Sequence, residues 1–167
     1  MVSSPTTDTS PSPGAATRVM TPRRRGAEKS SALLVADMAM FAGLCAEVPV
    51  RARELAAAHW PGPLTLALPA RPELPAAIVS DGCVAARVSS HPLAAALVEA
   101  VGRPITATSA NPVGAAPART AAEVAAYFVG KQIYILDGGQ TLGGLPSTLV
   151  RLRETALEIL RPGAVKI

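Results

Sequence analysis

Prolines and glycines interrupt this chain so often that none of its helices or strands can be long. The 167 residues include 16 prolines and 13 glycines, and both residue types punctuate regular structure. Many short elements around one core are therefore expected, rather than a helical bundle, and the length fits one domain. Because hydrophobic residues make up 49% of the chain and aromatic residues only 3%, that core must be aliphatic.

Between these interruptions, strand-like and helix-like segments alternate. A capping box at Thr120 and Glu123 predicts the start of one helix. The interleaving predicts an α/β domain over residues 18–167, with a twisted mixed sheet flanked by helices. Residues 1–17, rich in Ser, Thr and Pro, are predicted to be a disordered or degenerate segment. Strands are predicted at 31–37, 64–68, 83–88, 104–108, 132–136, 147–152 and 156–160, and helices at 49–60, 91–102 and 120–128.

A basic cluster, "PRRRGAEK" at 22–29, lies in the most basic part of a chain whose net charge is +4. Arg23 and Arg25, followed by Lys29, could surround a polyphosphate, because guanidinium groups bind phosphate oxygens bidentately. Such a local concentration of charge favours a phosphate-bearing ligand or RNA. A solvated basic turn is the alternative that these eight residues leave open.

Other features narrow the compartment and the chemistry. Two cysteines, Cys45 and Cys83, are too few for a disulfide framework and fit the reducing cytoplasm. No apolar run reaches the roughly 18 residues of a membrane span, so a soluble protein with no membrane partner is expected. His59 and His91 are expected to pack and cap, no metal-ligand spacing occurs, and no catalytic side chain is assigned. A site without a general base suits phosphoryl or nucleotidyl transfer, which depends on positioning and charge.

The segment "TSAN" ends a predicted strand on small polar groups. Ser109 and Asn111 stand two residues apart, so in extended backbone both side chains face the same way. Open α/β sheets bind ligands in the crevice beyond the carboxyl ends of their strands. A hydroxyl and an amide there could orient a sugar or a phosphate. A capped loop, with both side chains bonded to backbone, is the alternative.

Two positions late in the chain have a similar ambiguity. In "GGLPSTLV", Ser147 starts a predicted strand and could either touch a small polar ligand or close a turn. In "LRPG", Arg161 precedes a Pro-Gly turn and could bind phosphate or remain a surface cation. The residues alone leave both alternatives open.

Taken together, six segments resemble the YrdC/Sua5 family, the threonylcarbamoyl-AMP synthases. The motifs "WPGPLTL" and "TSAN" are specific, and the order and spacing of the segments match the family. The resemblance implies an α/β fold with an open basic crevice. The segments are "RVMTPRRRGAEKSSALLVAD" (18–37), "HWPGPLTLAL" (59–68), "ARVSSHP" (86–92), "GRPITATSANPVG" (102–114), "LDGGQTLGGLPSTLV" (136–150) and "LRPGAV" (160–165).

This resemblance implies a reaction that makes threonylcarbamoyl-AMP and pyrophosphate from L-threonine, bicarbonate or CO₂, and ATP with Mg²⁺. The threonine amine becomes a carbamate, which attacks the α-phosphate of ATP. The product then passes to a tRNA threonylcarbamoyltransferase partner that modifies adenosine 37 of tRNA. Double-stranded RNA or tRNA is therefore among the implied partners, and no tightly bound cofactor is implied.

The sequence departs from the family near its beginning. At the front, "PTTDT" (5–9) stands where the family has Pro-Thr-(Asp/Glu)-Thr-Val-Tyr-Gly-Leu, and Val-Tyr-Gly-Leu is missing. This departure motivates the alternative of a nucleotide- or RNA-binding module without catalysis. A third alternative is the related carbamoyl-transfer domain of hydrogenase-maturation proteins.

The resemblance also implies binding residues for both substrates. The implied ATP-binding residues are Arg23, Arg25, Lys29, Ser109, Asn111 and Arg161, and the implied threonine-binding residues are Thr7, Arg87, Ala107 and Ser147.

Overall fold

The computed structural model describes residues 18–20, 32–141, 143–154 and 156–167, the first of these as backbone only. The segment at 1–17 that is predicted to be disordered or degenerate lies outside the described residues. The strands are β1 (Arg18–Met20), β2 (Leu33–Leu34), β3 (Leu64–Pro69), β4 (Val79–Ser80), β5 (Cys83–Arg87), β6 (Ile105–Thr106), β7 (Tyr134–Leu136), β8 (Thr148–Arg153) and β9 (Ala156–Arg161). The helices are α1 (Met38–Ala42), α2 (Val50–His59), α3 (Pro92–Val101) and α4 (Ala121–Tyr127).

The main sheet is mixed. Its strands follow the order β6–β2–β5–β3–β8–β9, and β4 also pairs with β5. Strand β2 is parallel to β5, and β3 is parallel to β8, whereas the other neighbouring strands are antiparallel. This arrangement confirms the predicted α/β fold with a mixed sheet and helices. Strand β7 forms within the segment predicted at 132–136, but it pairs with β1 in a separate two-stranded sheet.

Local sequence signals set the ends of two helices. Helix α3 has Pro92 in its first turn and ends at Gly102, whose φ of 67° suits glycine. The Thr120 hydroxyl oxygen accepts a hydrogen bond from the Glu123 N–H at 3.2 Å, which starts α4 as predicted. The Glu123 carboxylate accepts from the Arg119 N–H at 2.5 Å, one residue before the usual partner in a capping box.

Helix α1 lies directly after the segment that the sequence predicts as one strand. Among the described residues of that segment, 32–37, Leu33 and Leu34 form strand β2. Asp37 then caps α1, because its Oδ1 accepts a hydrogen bond from the Met40 N–H at 2.7 Å. The sequence conceals this helix, since a short apolar run fits a buried strand and a buried helix equally well.

The two faces of the main sheet are covered differently. One face, the core face, packs against α1 and α2 and carries the fully buried side chains of Leu64, Leu66 and Leu68. On the opposite side, the second face, helix α3 packs against β2 and β6. The side chains of β3, β5 and β8 that alternate with those of the core face lie on this second face. None of the described helices is long and apolar enough to span a membrane.

Candidate anion-binding site

A short turn fixes the start of β3. The Gly62 N–H donates to the Val88 carbonyl at 3.0 Å, and the Trp60 indole N–H donates to the Leu64 carbonyl at 2.7 Å. Thr65 follows Leu64, whose side chain lies on the core face. Because side chains alternate along a strand, the hydroxyl of Thr65 belongs to the second face, where only 1% of the residue is exposed.

Arg87 lies beside Thr65 at the end of β5. Leu66 of β3 pairs with Ala86 of β5, and both residues are fully buried in the core cluster. One residue along each strand, Thr65 and Arg87 therefore share the second face. On its other side Arg87 pairs with Leu34 of β2, so neighbouring strands flank this arginine on both sides.

Hydrogen bonds of Ser147 link Thr65 on β3 to Arg161 at the end of β9. Its hydroxyl oxygen lies 2.8 Å from the hydroxyl oxygen of Thr65, and either group can donate. The Nη2 of Arg161 donates to the Ser147 hydroxyl oxygen at 2.9 Å and to the Ser147 carbonyl at 2.8 Å. The Nε of Arg161 also donates to that carbonyl, at 3.1 Å. These contacts fix the Arg161 guanidinium relative to Thr65.

The segment after β9 packs closely against the segment that carries Ser147. The Ala164 N–H donates to the Pro146 carbonyl at 3.0 Å, and the Thr148 hydroxyl donates to the Val165 carbonyl at 2.7 Å. A Cβ on Gly163 would lie 2.6 Å from the Thr148 nitrogen. Only glycine fits such a close approach of two backbones, so Gly163 supports the position of the serine.

Arg87 and Arg161, the open pair, are bound to no carboxylate in the described residues. None of the ion pairs found there involves either guanidinium. Burial lowers the pKa of the Arg87 guanidinium, and the positive charge of Arg161 lowers this pKa further. Because both effects disfavour the charged form, a bound anion would relieve them. The open pair is therefore suited to bind a carboxylate or a phosphate.

Arg151 and Arg153, the closed pair, lie at the opposite end of β8 from Ser147. The Arg151 guanidinium bonds to Glu158 at 2.6 Å and also to Asp81, and Arg153 is 3.1 Å from the Asp81 carboxylate. The hydrogen bond that Arg151 donates to Glu158, together with the charges of Glu158 and Asp81, raises the pKa of Arg151. The closed pair is thus neutralised within the chain.

The "TSAN" corner leaves the sheet from a different position. The Ala107 N–H donates to the Ala32 carbonyl at 2.7 Å, so the strand leading to Ser109 runs towards the beginning of β2. The Asn111 amide donates to the Ala115 carbonyl at 2.7 Å and to the Pro112 carbonyl at 3.0 Å. This geometry favours the capped-loop alternative for the Asn111 amide nitrogen. Its Oδ1 is buried and has no hydrogen-bond partner among the described residues, whereas Ser109 is exposed.

The predicted site residues thus fall into three groups. Arg87, Ser147 and Arg161 come together on the second face. Ser109, Asn111 and Ala107 belong to the corner beside the start of β2. Thr7, Arg23, Arg25 and Lys29 lie outside the described residues.

Thr65 is a site residue that sequence reasoning misses. The segment "LTLAL" predicts a strand, and its threonine stands between two leucines. The sequence does show that this polar residue lies on the face opposite the two leucines, which could have indicated a polar contact there. Its partner Ser147 is 82 positions away, and the strand order is needed to bring the two residues together.

A family match extends over most of the chain. The Sua5/YciO/YrdC family model, described as "Telomere recombination", matches residues 10–163. A threonylcarbamoyl-AMP synthase of Pyrococcus abyssi is 37% identical over 151 residues, which are 90% of this chain and 44% of the relative. One from Halorhodospira halophila is 41% identical over 133 residues, which are 78% of this chain and 68% of the relative.

A solved structure has the same fold. The crystal structure of P. abyssi Sua5 complexed with L-threonine matches with a TM-score of 0.76 and 38% identity, over 83% of this chain and 41% of that chain. This likeness agrees with the observed mixed sheet and its helices. The chain spans less than half the length of both P. abyssi proteins.

Proposed function

Since the chain belongs to the Sua5/YciO/YrdC family, we propose that it acts as an L-threonylcarbamoyladenylate synthase. The substrates are L-threonine, bicarbonate or CO₂, and ATP with Mg²⁺, and the products are threonylcarbamoyl-AMP and pyrophosphate. The names of the relatives support this reaction, as does the L-threonine bound to the P. abyssi structure.

The open pair is the observation that carries the proposal. Arg87 is partly buried beside the charge of Arg161, and no carboxylate of the described residues compensates either arginine. A guanidinium binds a carboxylate through two parallel hydrogen bonds. On this proposal, the L-threonine carboxylate binds Arg87, while Ser147 and Arg161 border the same site.

The proposed reaction requires no side-chain nucleophile. The nitrogen of L-threonine forms a bond to the carbon of CO₂, one C=O π bond opens onto its oxygen, and the nitrogen loses a proton to solvent, which gives a carbamate. A carbamate oxygen then attacks the α-phosphorus of ATP, the bond from that phosphorus to the bridging oxygen breaks, and pyrophosphate leaves. Arg87 contributes by holding the carboxylate, so that the amine lies at a fixed position relative to the nucleotide.

The nucleotide is proposed to lie in an open basic crevice near the corner. Ala32 bonds to Ala107, in the strand that leads to Ser109, and Lys29 precedes Ala32 by three residues. The proposed ATP-binding residues are Arg23, Arg25, Lys29, Ser109, Asn111 and Arg161.

Pyrophosphate release tests the proposal. The protein is incubated with ATP, Mg²⁺ and bicarbonate, with and without L-threonine, and release is expected only with the amino acid. Arg87→Met should remove most of the L-threonine-dependent release, whereas Arg153→Met, in the closed pair, should retain it. A folded protein that releases no pyrophosphate in the presence of L-threonine would contradict the proposed activity.

A nucleotide- or RNA-binding module without turnover is the second candidate. The observation that favours it is the incomplete front motif, where "PTTDT" lacks the residues that follow in the family. Binding of ATP or tRNA by folded protein, with no pyrophosphate release, would decide for this alternative. For the proposed synthase, in contrast, the proposed location is the cytoplasm, where a tRNA threonylcarbamoyltransferase partner receives the product.

A further inference from the structure

We infer that Thr65 is a positioning residue that directs the Ser147 hydroxyl hydrogen towards bound L-threonine. The inference rests on the proposed function, because it concerns the same carboxylate that Arg87 binds. Thr65 touches no substrate in this account and acts through Ser147. The evidence is the pattern of hydrogen bonds around two hydroxyl groups and one guanidinium.

The direction of the Thr65–Ser147 hydrogen bond follows from burial. Thr65 is only 1% exposed, and within the described residues the hydrogen-bond partner of its hydroxyl is Ser147. If Ser147 donated this bond, the Thr65 hydrogen would be left buried without an acceptor, which is unfavourable. Thr65 therefore donates and the Ser147 oxygen accepts.

Arg161 supplies the second constraint. A guanidinium carries donors only, so the contact of 2.9 Å between Arg161 and the Ser147 hydroxyl oxygen is donated by the arginine. The serine oxygen then accepts two hydrogen bonds, from Thr65 and from Arg161. Both of its acceptor positions are occupied, and its own hydrogen is free to be donated to a third group.

The position of Arg87 indicates what that third group is. Strand β3 lies between β5, which ends at Arg87, and β8, which starts after Ser147. Thr65 on β3 shares the second face with Arg87, and its hydroxyl contacts Ser147. A carboxylate bound to Arg87 would present its other lone pairs to this face, where an oriented serine hydroxyl can donate to it.

Thr148 provides a matched control for Thr65. Both threonines are 1% exposed, and each hydroxyl makes defined hydrogen bonds. The Thr148 hydroxyl, however, donates to the Val165 carbonyl at 2.7 Å and accepts from the Val165 N–H at 2.9 Å. It therefore ties the segment after β9 to β8 without a hydrogen bond to Ser147, so its loss should lower stability and weaken L-threonine binding less than the loss of the Thr65 hydroxyl does.

Calorimetric titration of L-threonine separates these roles. Thr65→Val should raise the Kd for L-threonine roughly tenfold and leave the Kd for ATP within about twofold. Thr65→Ser should restore L-threonine binding to within about threefold of the unaltered protein. Thr148→Val should lower the melting temperature, and it should raise the Kd for L-threonine by less than Thr65→Val does.

A double-mutant cycle keeps the test decisive even where Thr65→Val lowers stability. In a Ser147→Ala background, Thr65→Val should cause no further loss of L-threonine affinity, since the two hydroxyls act as one unit. Additive losses, an unchanged Kd for Thr65→Val, or an equal loss in Thr148→Val would each overturn the inference. If the unaltered protein binds no L-threonine, the proposed function fails first and the inference fails with it.

Discussion

The open and closed arginine pairs lie at opposite ends of the same sheet face, and they differ in what neutralises them. Asp81 and Glu158 bond to the closed pair, Arg151 and Arg153. In the open pair, Arg87 has a lowered pKa because it is buried and close to Arg161. The two pairs are thus distinguished by their carboxylate partners and not by residue type, since all four residues are arginines.

The same difference predicts opposite costs of removal. Deleting a closed-pair partner leaves a charge without its ion pair, so stability should fall while ligand binding is retained. Deleting the charge of Arg87 removes an unfavourable desolvated cation, so ligand binding should fall while stability is retained or improved. Variants of the closed pair and of the open pair should therefore have opposite effects on stability and on ligand binding.

The largest expected effect follows Arg87→Met. This change keeps much of the side-chain length and removes the charge, so L-threonine affinity should fall at least about 100-fold, as for other buried charge-assisted contacts. The melting temperature should stay the same or rise, because the buried cation is gone. Calorimetric titration and thermal denaturation measure the two quantities, and a large fall in stability would contradict the open pair as a binding feature.

Gly163→Ala should have the next largest effect. Its new Cβ would lie 2.7 Å from the Ser147 carbonyl carbon, so the backbone near the serine must shift and both L-threonine affinity and melting temperature should decrease. An affinity loss of about tenfold is expected for such a displacement. Ala164→Ser serves as the control, because the φ of 74° at Gly130 would strain any side chain introduced there and rules out Gly130→Ala. Unchanged L-threonine affinity in Gly163→Ala would mean that the tail does not support the site.

A smaller effect is expected from Asp81→Asn at the closed pair. Asparagine tolerates the φ of 51° found at Asp81, so the change removes the carboxylate charge and keeps the turn. The melting temperature should fall by a few degrees, and L-threonine affinity should stay within about twofold. A tenfold weaker affinity would show that the two ends of the sheet are coupled.

The smallest effect is expected at Cys45. Its backbone forms an isolated antiparallel β-bridge with Ala70, the residue just after β3. Burial raises the pKa of its thiol from 9.0 to about 12, although Arg71 lowers it in part. The stability that this thiol contributes is therefore complete below pH 9.0 and is lost as the pH rises towards 12. Between about pH 8 and about pH 10, melting temperature should fall slightly more in the unaltered protein than in Cys45→Ala. Identical pH profiles would contradict the raised pKa.

Sequence reasoning succeeds where a local signal determines the structure. Proline in the first turn and glycine at the end predict α3, and the capping box predicts α4. The strands predicted at 64–68 and 83–88, the second after an Asp81-Gly82 turn, form as β3 and β5. It fails at α1, because the cap at Asp37 is hidden in an apolar run, and it leaves the pairing of β7 with β1 undetermined, because strand pairing is a long-range property.

The site shows the same division. The family resemblance selects Arg87, Ser147 and Arg161, yet only the strand order brings together residues that lie 60 and 14 positions apart along the chain. The contact of Ser147 with Thr65 follows from the parallel pairing of β3 with β8. Periodicity cannot predict which strands become neighbours, so Thr65 is recognised only in the structure.

Recognition of a carboxylate by the open pair is the central claim, and a comparison of two ligands tests it most directly. Calorimetric titration of the unaltered protein with L-threonine and with L-threoninamide varies only the carboxyl group. L-threonine should bind, and L-threoninamide should bind at least about tenfold more weakly, since its amide carries no charge for the guanidinium groups. Equal affinities for the two ligands would contradict the proposal that Arg87, with Arg161 bordering the site, binds the carboxylate.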